Sequence, residues 1–411
     1  MTSVATLDAR ALVRGRARAE RRIKLRAVAL TLPLLLFLLA TFVGPIGALL
    51  TKSVIDADVP RILPRVTAAL RDWDGQSLPA ESAWTALAED IRAARAQGTL
   101  ASAATRLNYD VTGYRSLLFT TARRLPDTIE GSARDALVAI DPKWAEIETW
   151  GAIRRASGPV TDFYLLAAMD LKRDSAGHIA PEKDDEVVFR MILGRTLWIA
   201  GIVTLVCLLM GYPTAWYLSR QTDRKAAILL FLVLLPFWTS LLVRTVAWVV
   251  LLQREGVVND ALLNAGLIAA PLKMIFNRFA VYVAMVHVLL PFMILPLYSV
   301  MKAIPPSYLR AAASLGAPPL VGWLRVYLPQ TLPGIGAGCL LVFIQAIGYY
   351  VTPALVGGAD DQMISYFIAF YASRTVNWGM AAALSIMLLA ATLALYAVYN
   401  RLVGVERMRL G

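Results

Sequence analysis

Cysteine and histidine are scarce in this chain. Its two cysteines, Cys207 and Cys339, each lie inside an apolar run. They read as small core hydrophobes, and no disulfide framework follows from them. The two histidines, His178 and His287, stand apart, and no His/Cys group has metal-ligand spacing. Neither a metal nor another cofactor is expected. No Gly-x-x-x-x-Gly-Lys-Ser/Thr loop is present to cradle nucleotide phosphates, so any ATP-driven work must be powered by other subunits. Charge is sparse as well. Only 17% of the 411 residues are Asp, Glu, Lys or Arg, against about 25% in ordinary soluble domains. With 58% hydrophobic residues, the composition is that of a membrane protein. Its apolar runs hold no clustered nucleophile and no carboxylate pair. No catalytic residue is therefore assigned, and an enzyme is not expected.

What is present is a set of six long apolar runs: 27–51, 196–219, 226–252, 279–301, 334–356 and 378–400. Each reaches the roughly 20 residues that a membrane span needs. None contains Asp or Glu, and Arg244 and His287 are their only ionisable groups besides Tyr and Cys. The net charge is +12, but the basic residues flank the runs. They report membrane orientation rather than a nucleic-acid partner. The tail at 1–26 holds eight Lys/Arg against Asp8 and Glu20, which puts the N-terminus in the cytoplasm. Six spans return the C-terminal tail at 404–411 to the same side, where Arg401, Arg407 and Arg409 agree. The first run is too long for the apolar core of a signal peptide and is expected to stay as an anchor.

Residues 52–188 form an insert of soluble composition, with 17 Lys/Arg and 21 Asp/Glu. By the alternation of spans it lies outside the cytoplasm. Trp84, Leu87, Ala88 and Ile91 recur on one face of a helix expected over 79–98, closed by Gly98. Similar helices are expected at 111–124, 130–140 and 142–156, with a short hairpin near Asp174–Gly177. The transmembrane core is then 189–403, with a cytoplasmic loop at 302–333.

That loop contains LRAAASLGAPPLVGWLRVYLPQTLPGI, from residue 309 to 335. Pro318 and Pro319 remove backbone donors that lipid could not replace, so the stretch cannot itself span. It reads as a short helix up to Leu315, a turn at Gly316–Pro319, a second short helix over 320–327 and a break at Leu328–Pro329. Small side chains at Ala311, Ala312 and Ala313 would let another surface approach closely, and Gly316 lets the backbone turn.

The spacing here resembles the signature of ATP-binding-cassette (ABC) importer permeases: Glu-Ala-Ala, three residues, Gly, nine residues, Ile, one residue, Leu-Pro. The matching positions are Arg310, Ala311, Ala312, Gly316, Val326, Leu328 and Pro329. Arg310 stands where the signature has Glu, and Val326 where it has Ile. GYPTAWYLSR (211–220), LLPFWTSLLVRTVAWVVLLQREGVVN (234–259) and GYYVTPALVGG (348–358) extend the likeness to permeases of spermidine/putrescine-type importers. The resemblance implies an all-α membrane protein with six transmembrane helices of the MetI-like ABC importer permease type. It implies a second permease subunit (a heterodimer, or else a homodimer), two cytoplasmic ATPase subunits and an extracytoplasmic solute-binding protein. It also implies the bacterial inner membrane, alternating access, and the signature loop as the coupling helix seated in the ATPase. The insert has no counterpart in the short members of that family.

Candidate pathway or gate residues are Trp238, Arg244, Tyr298, Gln345, Tyr349, Tyr350, Asp360 and Asp361. Aromatic faces suit a polyamine through cation–π contact, although the same residues could form an interfacial belt. An ionisable residue inside a span is a functional candidate, although Arg244 could snorkel to the outer interface. His287, with no carboxylate nearby in sequence, reads as a packing residue between helices. Asp360 and Asp361 could attract a cation, dock the binding protein or be plain turn acids. Because no span carries an acid, an opine, a phosphonate or another small organic ion stays open as the solute. An ion-coupled secondary transporter is the alternative class; it would need intramembrane carboxylates or inverted repeats.

Overall fold

The computed structural model describes residues 24, 26, 28–174, 177–182 and 187–403; most of the N-terminal basic tail and the whole C-terminal tail lie outside these. The chain divides into two units, Met1–Lys52 and Ser53–Gly411. In the first, Val28–Thr51 is one apolar helix of 24 residues. Its turn Leu39–Val43 is π-wound. Pro45 follows in the next turn and has no N–H to donate, and the widened turn takes up that missing bond.

In the second unit, Phe189–Ser219, Arg278–Ala303, Pro319–Gly348 and Trp378–Arg401 are each long and apolar enough to cross a membrane. The third expected span is not continuous. Two pieces, Asp223–Trp238 and Leu241–Asn264, meet at a 93° bend. Pro236 lacks a donor, and Thr239 and Ser240 are extended, with ψ of 146° and 142°. The fifth span also departs from expectation. It begins at Pro319 and stops at Gly348, where Tyr349 turns extended with ψ 130°. Val351–Val356 is a separate short helix. The break expected at Leu328–Pro329 is absent. A π-wound turn at Trp323–Tyr327, in which the Leu328 N–H reaches the Trp323 carbonyl, carries the helix past Pro329.

The second, fourth and fifth spans enclose the core, with Val203, Cys207, Met285, Leu289, Met293 and Val342 buried between them. Glycine permits the close approach. A Cβ on Gly338 would stand 2.7 Å from Met293 Sδ and 3.2 Å from the Met293 carbonyl oxygen. Polar contacts mark two ends of this bundle. At one, Lys302 pairs with Asp223 at 3.0 Å. At the other, Arg278 pairs with Asp361 at 2.9 Å and Arg195 Nη1 donates to the Gln362 carbonyl.

The insert folds at the Arg278–Asp361 end. The expected helices appear as Glu81–Gln97, Tyr114–Arg124, Ala133–Ile140 and Ile147–Arg155. Leu100–Asp110 is a further helix, and Leu171–Arg173 pairs antiparallel with Ile179–Pro181. Three tryptophans form the insert's centre. Trp84 and Trp144 lie 4.5 Å and 5.8 Å from Trp150, centroid to centroid. Each buried indole N–H is satisfied, on the Pro79 carbonyl, Thr121 Oγ1 and the Trp144 carbonyl respectively for Trp84, Trp144 and Trp150.

Two joints root the insert in the bundle. Tyr164 packs among Ile192, Ile364, Met380, Ala383 and Leu384. Burial pushes its hydroxyl well above the usual phenol range, so it stays protonated and donates to Asp56. Asp56 also pairs with Arg106, whose guanidinium lies 4.3 Å from the Phe163 ring centroid and 5.1 Å from that of Tyr164. The second joint is Asp170. Its carboxylate accepts from the N–H groups of Val188, Phe189 and Arg190, capping the start of the second span. At the first joint, a Cβ on Gly379 would overlap the Tyr164 ring. Gly379→Ala is therefore expected to cost about 1–3 kcal/mol through overpacking. In thermal unfolding of the detergent-solubilised protein, the Gly379→Ala/Tyr164→Ala double variant should lose less than the sum of the singles.

Candidate functional site

Two sites stand out, at different depths of the bundle. The first is the loop that carries the signature, at the Lys302 end. Ser307–Ser314 is a helix with an exposed outer face. It closes in a Schellman motif: the Gly316 N–H donates to the Ala313 carbonyl and the Ala317 N–H to the Ala312 carbonyl, both at 3.0 Å. This requires a left-handed residue, and Gly316 supplies φ +82°. Pro319 then opens the next helix at its first turn, where no donor is needed. A Cβ on Gly322 would sit 3.8 Å from both Ala312 Cβ and Leu309 Cδ2, so the two helices brace each other. Arg310 and Ala311 are exposed and Ala312 is half-buried.

Sequence reasoning took the alanines as the contact surface. Leu315, 89% exposed, and Leu320, 68% exposed, lie on either side of the Gly316 turn. Val326 and Leu328 are partly buried around the buried Tyr327. With Pro329, they belong to the continuous span and root the element in it.

The second site lies where the third and fifth spans break. Thr245 Oγ1 and Thr352 Oγ1 are hydrogen-bonded at 3.1 Å and tie together the two segments beyond the breaks. Ser365 Oγ donates at 2.6 Å to the Ile347 carbonyl beside the second break, which compensates for the interrupted ladder. Trp248 Nε1 donates to His287 Nδ1 at 3.1 Å, so the imidazole is neutral at that nitrogen. Arg244 stands in electrostatic range of both His287 and Tyr349. Its Nε and Nη1 are buried and have no hydrogen-bond partner among the described residues.

The structure brings together Arg244, Tyr349 and, beside it at the break, Tyr350. Tyr298 is partly buried against the bundle core. Trp238, Gln345 and Tyr350 are exposed on this chain. Asp361 is not a free acid. It is 6% exposed, pairs with Arg278 and accepts from the Gly358 N–H, so its charge is committed to the fold; Asp360 stays exposed. Thr245, Thr352 and Ser365 went unremarked in the sequence, because hydroxyls serving a broken helix look like any others until the break is known. The insert also encloses a cavity of about 140 Å³ lined by Asp110, Arg155, Asp162, Phe163 and Arg173. Its arginines are already paired, Arg155 with Asp110 and Arg173 with Asp162.

Residues 196–405 match the family described as binding-protein-dependent transport system inner membrane component. The spermidine/putrescine transport system permease protein PotB of Haemophilus influenzae is 40% identical over 251 residues, which cover 59% of this chain and 87% of that protein. PotB of Escherichia coli K12 is 38% identical over 217 residues, 53% of this chain and 78% of that protein. The inner membrane ABC transporter permease protein YdcU of Escherichia coli K12 is 34% identical over 230 residues, 52% of this chain and 71% of that protein. The family match starts at the second span and leaves out the insert. This chain is an all-α ABC importer permease subunit, and it belongs to the family of binding-protein-dependent transport system inner membrane components.

Proposed function

We propose that the chain moves a polyamine such as spermidine or putrescine inward by alternating access, as one of two permeases in the importer. The observation that carries the reading is the docking element: a rigid, Schellman-capped turn with exposed Leu315 and Leu320, continuous with the fifth span through Trp323–Tyr327. Closure of an ATPase pair against that element would pull directly on the span that breaks at Tyr349. The solute class is supported by likeness to the PotB permeases. Basic flanks support cytoplasmic termini and a cytoplasmic docking element, with the 52–188 domain outside, where it would meet the binding protein. The second permease is proposed to be a different chain. From residue 261 to 359 there is no Asp or Glu, so Lys302, Arg310 and Arg325 make the docking element purely basic. The ATPase surface that receives Arg310 is accordingly proposed to carry an acid, the reverse of the signature's polarity.

One observation favours a second reading of the solute. Acid-free spans give a polycation no counter-charge from this chain, so another small organic ion, an opine or a phosphonate, would pass without that handicap. Uptake by the complete transporter in proteoliposomes decides between them. ATP-dependent accumulation of labelled spermidine, competed by putrescine, is the expected result. Accumulation of an opine or phosphonate without spermidine uptake would overturn the polyamine reading. Uptake that persists with a hydrolysis-dead ATPase would overturn the importer mechanism.

A further inference from the structure

We propose that Arg244 is completed by a carboxylate from the second permease subunit, reaching it across the exposed face of the broken third span. The inference deepens the paired-permease reading above and rests on it. Arg106, Arg154 and Arg155 also carry a buried, unbonded Nη1, but all three lie in the insert; Arg106 and Arg155 hold Asp56 and Asp110, and Arg154 lies over the Trp73 ring. Arg244 holds no carboxylate among the described residues. The titratable groups in electrostatic range of it are His287, whose Nδ1 accepts from Trp248, and Tyr349. A guanidinium buried at membrane depth without a counter-charge is strongly disfavoured.

Among the described residues no acid pairs with Arg244. The apolar runs contain no Asp or Glu, Asp223 pairs with Lys302 at the other end of the bundle, Glu255 and Asp260 lie beyond the helix that ends at Leu252, and Asp361 is taken by Arg278. A second copy of the chain would bring the same acid-free spans. A polyamine is itself cationic and would be repelled. The helix that carries Arg244 leaves Leu242, Val243, Val246 and Val250 exposed, and Trp238, just before the bend, is 80% exposed. That surface is apolar, as a neighbouring membrane subunit requires, and beside it lies the partly buried Arg244, whose Nε and Nη1 have no partner among the described residues.

The test is a charge swap in the complete transporter. Arg244→Glu should lower both recovery of the second permease with this chain and uptake by about tenfold or more, as loss of a buried ion pair does. Arg244→Lys should retain more of each than Arg244→Met. Each Asp or Glu in the spans of the second permease is then replaced singly by Lys in the Arg244→Glu background, and one replacement should restore subunit recovery and uptake. Three results overturn the proposal: wild-type behaviour of Arg244→Met, absence of any restoring replacement, or normal subunit recovery with lost uptake, which would assign the guanidinium to the solute. Subunit recovery needs no knowledge of the solute. A failed polyamine assay with a successful swap would therefore sink the solute reading and leave this inference standing.

Discussion

Replacing Gly316 with valine is expected to leave the chain folded in the membrane and to uncouple ATP hydrolysis from uptake. At φ +82°, a residue with a Cβ pays about 1–2 kcal/mol, and a β-branched one is a true outlier there. Such a strain lowers the population of the docking-competent turn by about tenfold. It is too small to unfold a bundle whose core lies elsewhere. No atom comes within 4 Å of a Cβ at this position, so a clash inside the chain is not the cause. Gly316→Asn separates the two remaining effects, because asparagine tolerates the left-handed region but adds bulk beside Leu315 and Leu320. If Asn couples normally and Val does not, the turn is what matters; if both uncouple, the partner surface needs the missing side chain. Uptake per ATP hydrolysed in proteoliposomes is the measurement. Full coupling in the Val variant would show that this turn does not transmit force.

Removing the Asp170 carboxylate should have the largest effect on stability. Asp170 is 4% exposed and serves three backbone donors at 2.8–3.0 Å. An ordinary helix cap is worth about 1 kcal/mol. A buried, charged acceptor that leaves several donors unsatisfied costs more, about 3 kcal/mol here. Its backbone is also left-handed, with φ 54°, which alanine tolerates poorly and asparagine better. Asp170→Ala should therefore lower the melting temperature of the purified protein, with Asp170→Asn in between. A melting curve unchanged in Asp170→Ala would mean that the Tyr164 joint alone holds the insert.

Much of this was legible in the sequence because it depends on local chemistry. Length and apolarity fix where spans form, whatever surrounds them. A left-handed glycine followed by two prolines fixes the end of the docking helix, and Trp84, Leu87, Ala88 and Ile91 fix the buried face of an insert helix. Prolines were the least transferable signal. Pro319 opened a helix after the Gly316 turn, whereas Pro329 did not break one, because a π-wound turn carries the helix past it. The bend at Thr239–Ser240 was likewise hidden, since apolar composition runs straight through it.

The sequence alone therefore determined the class of protein, the positions of its apolar segments and the docking signature. These rest on composition, short-range backbone constraints and the cost of burying unsatisfied polar groups in lipid. Only the tertiary structure decided which charges are free. Asp361, beside an apolar run, and Arg244, inside one, both look like isolated charges in the sequence. The fold places Arg278 against the first and, among the described residues, no carboxylate against the second, and an ion pair depends on residues that meet across helices far apart in the chain.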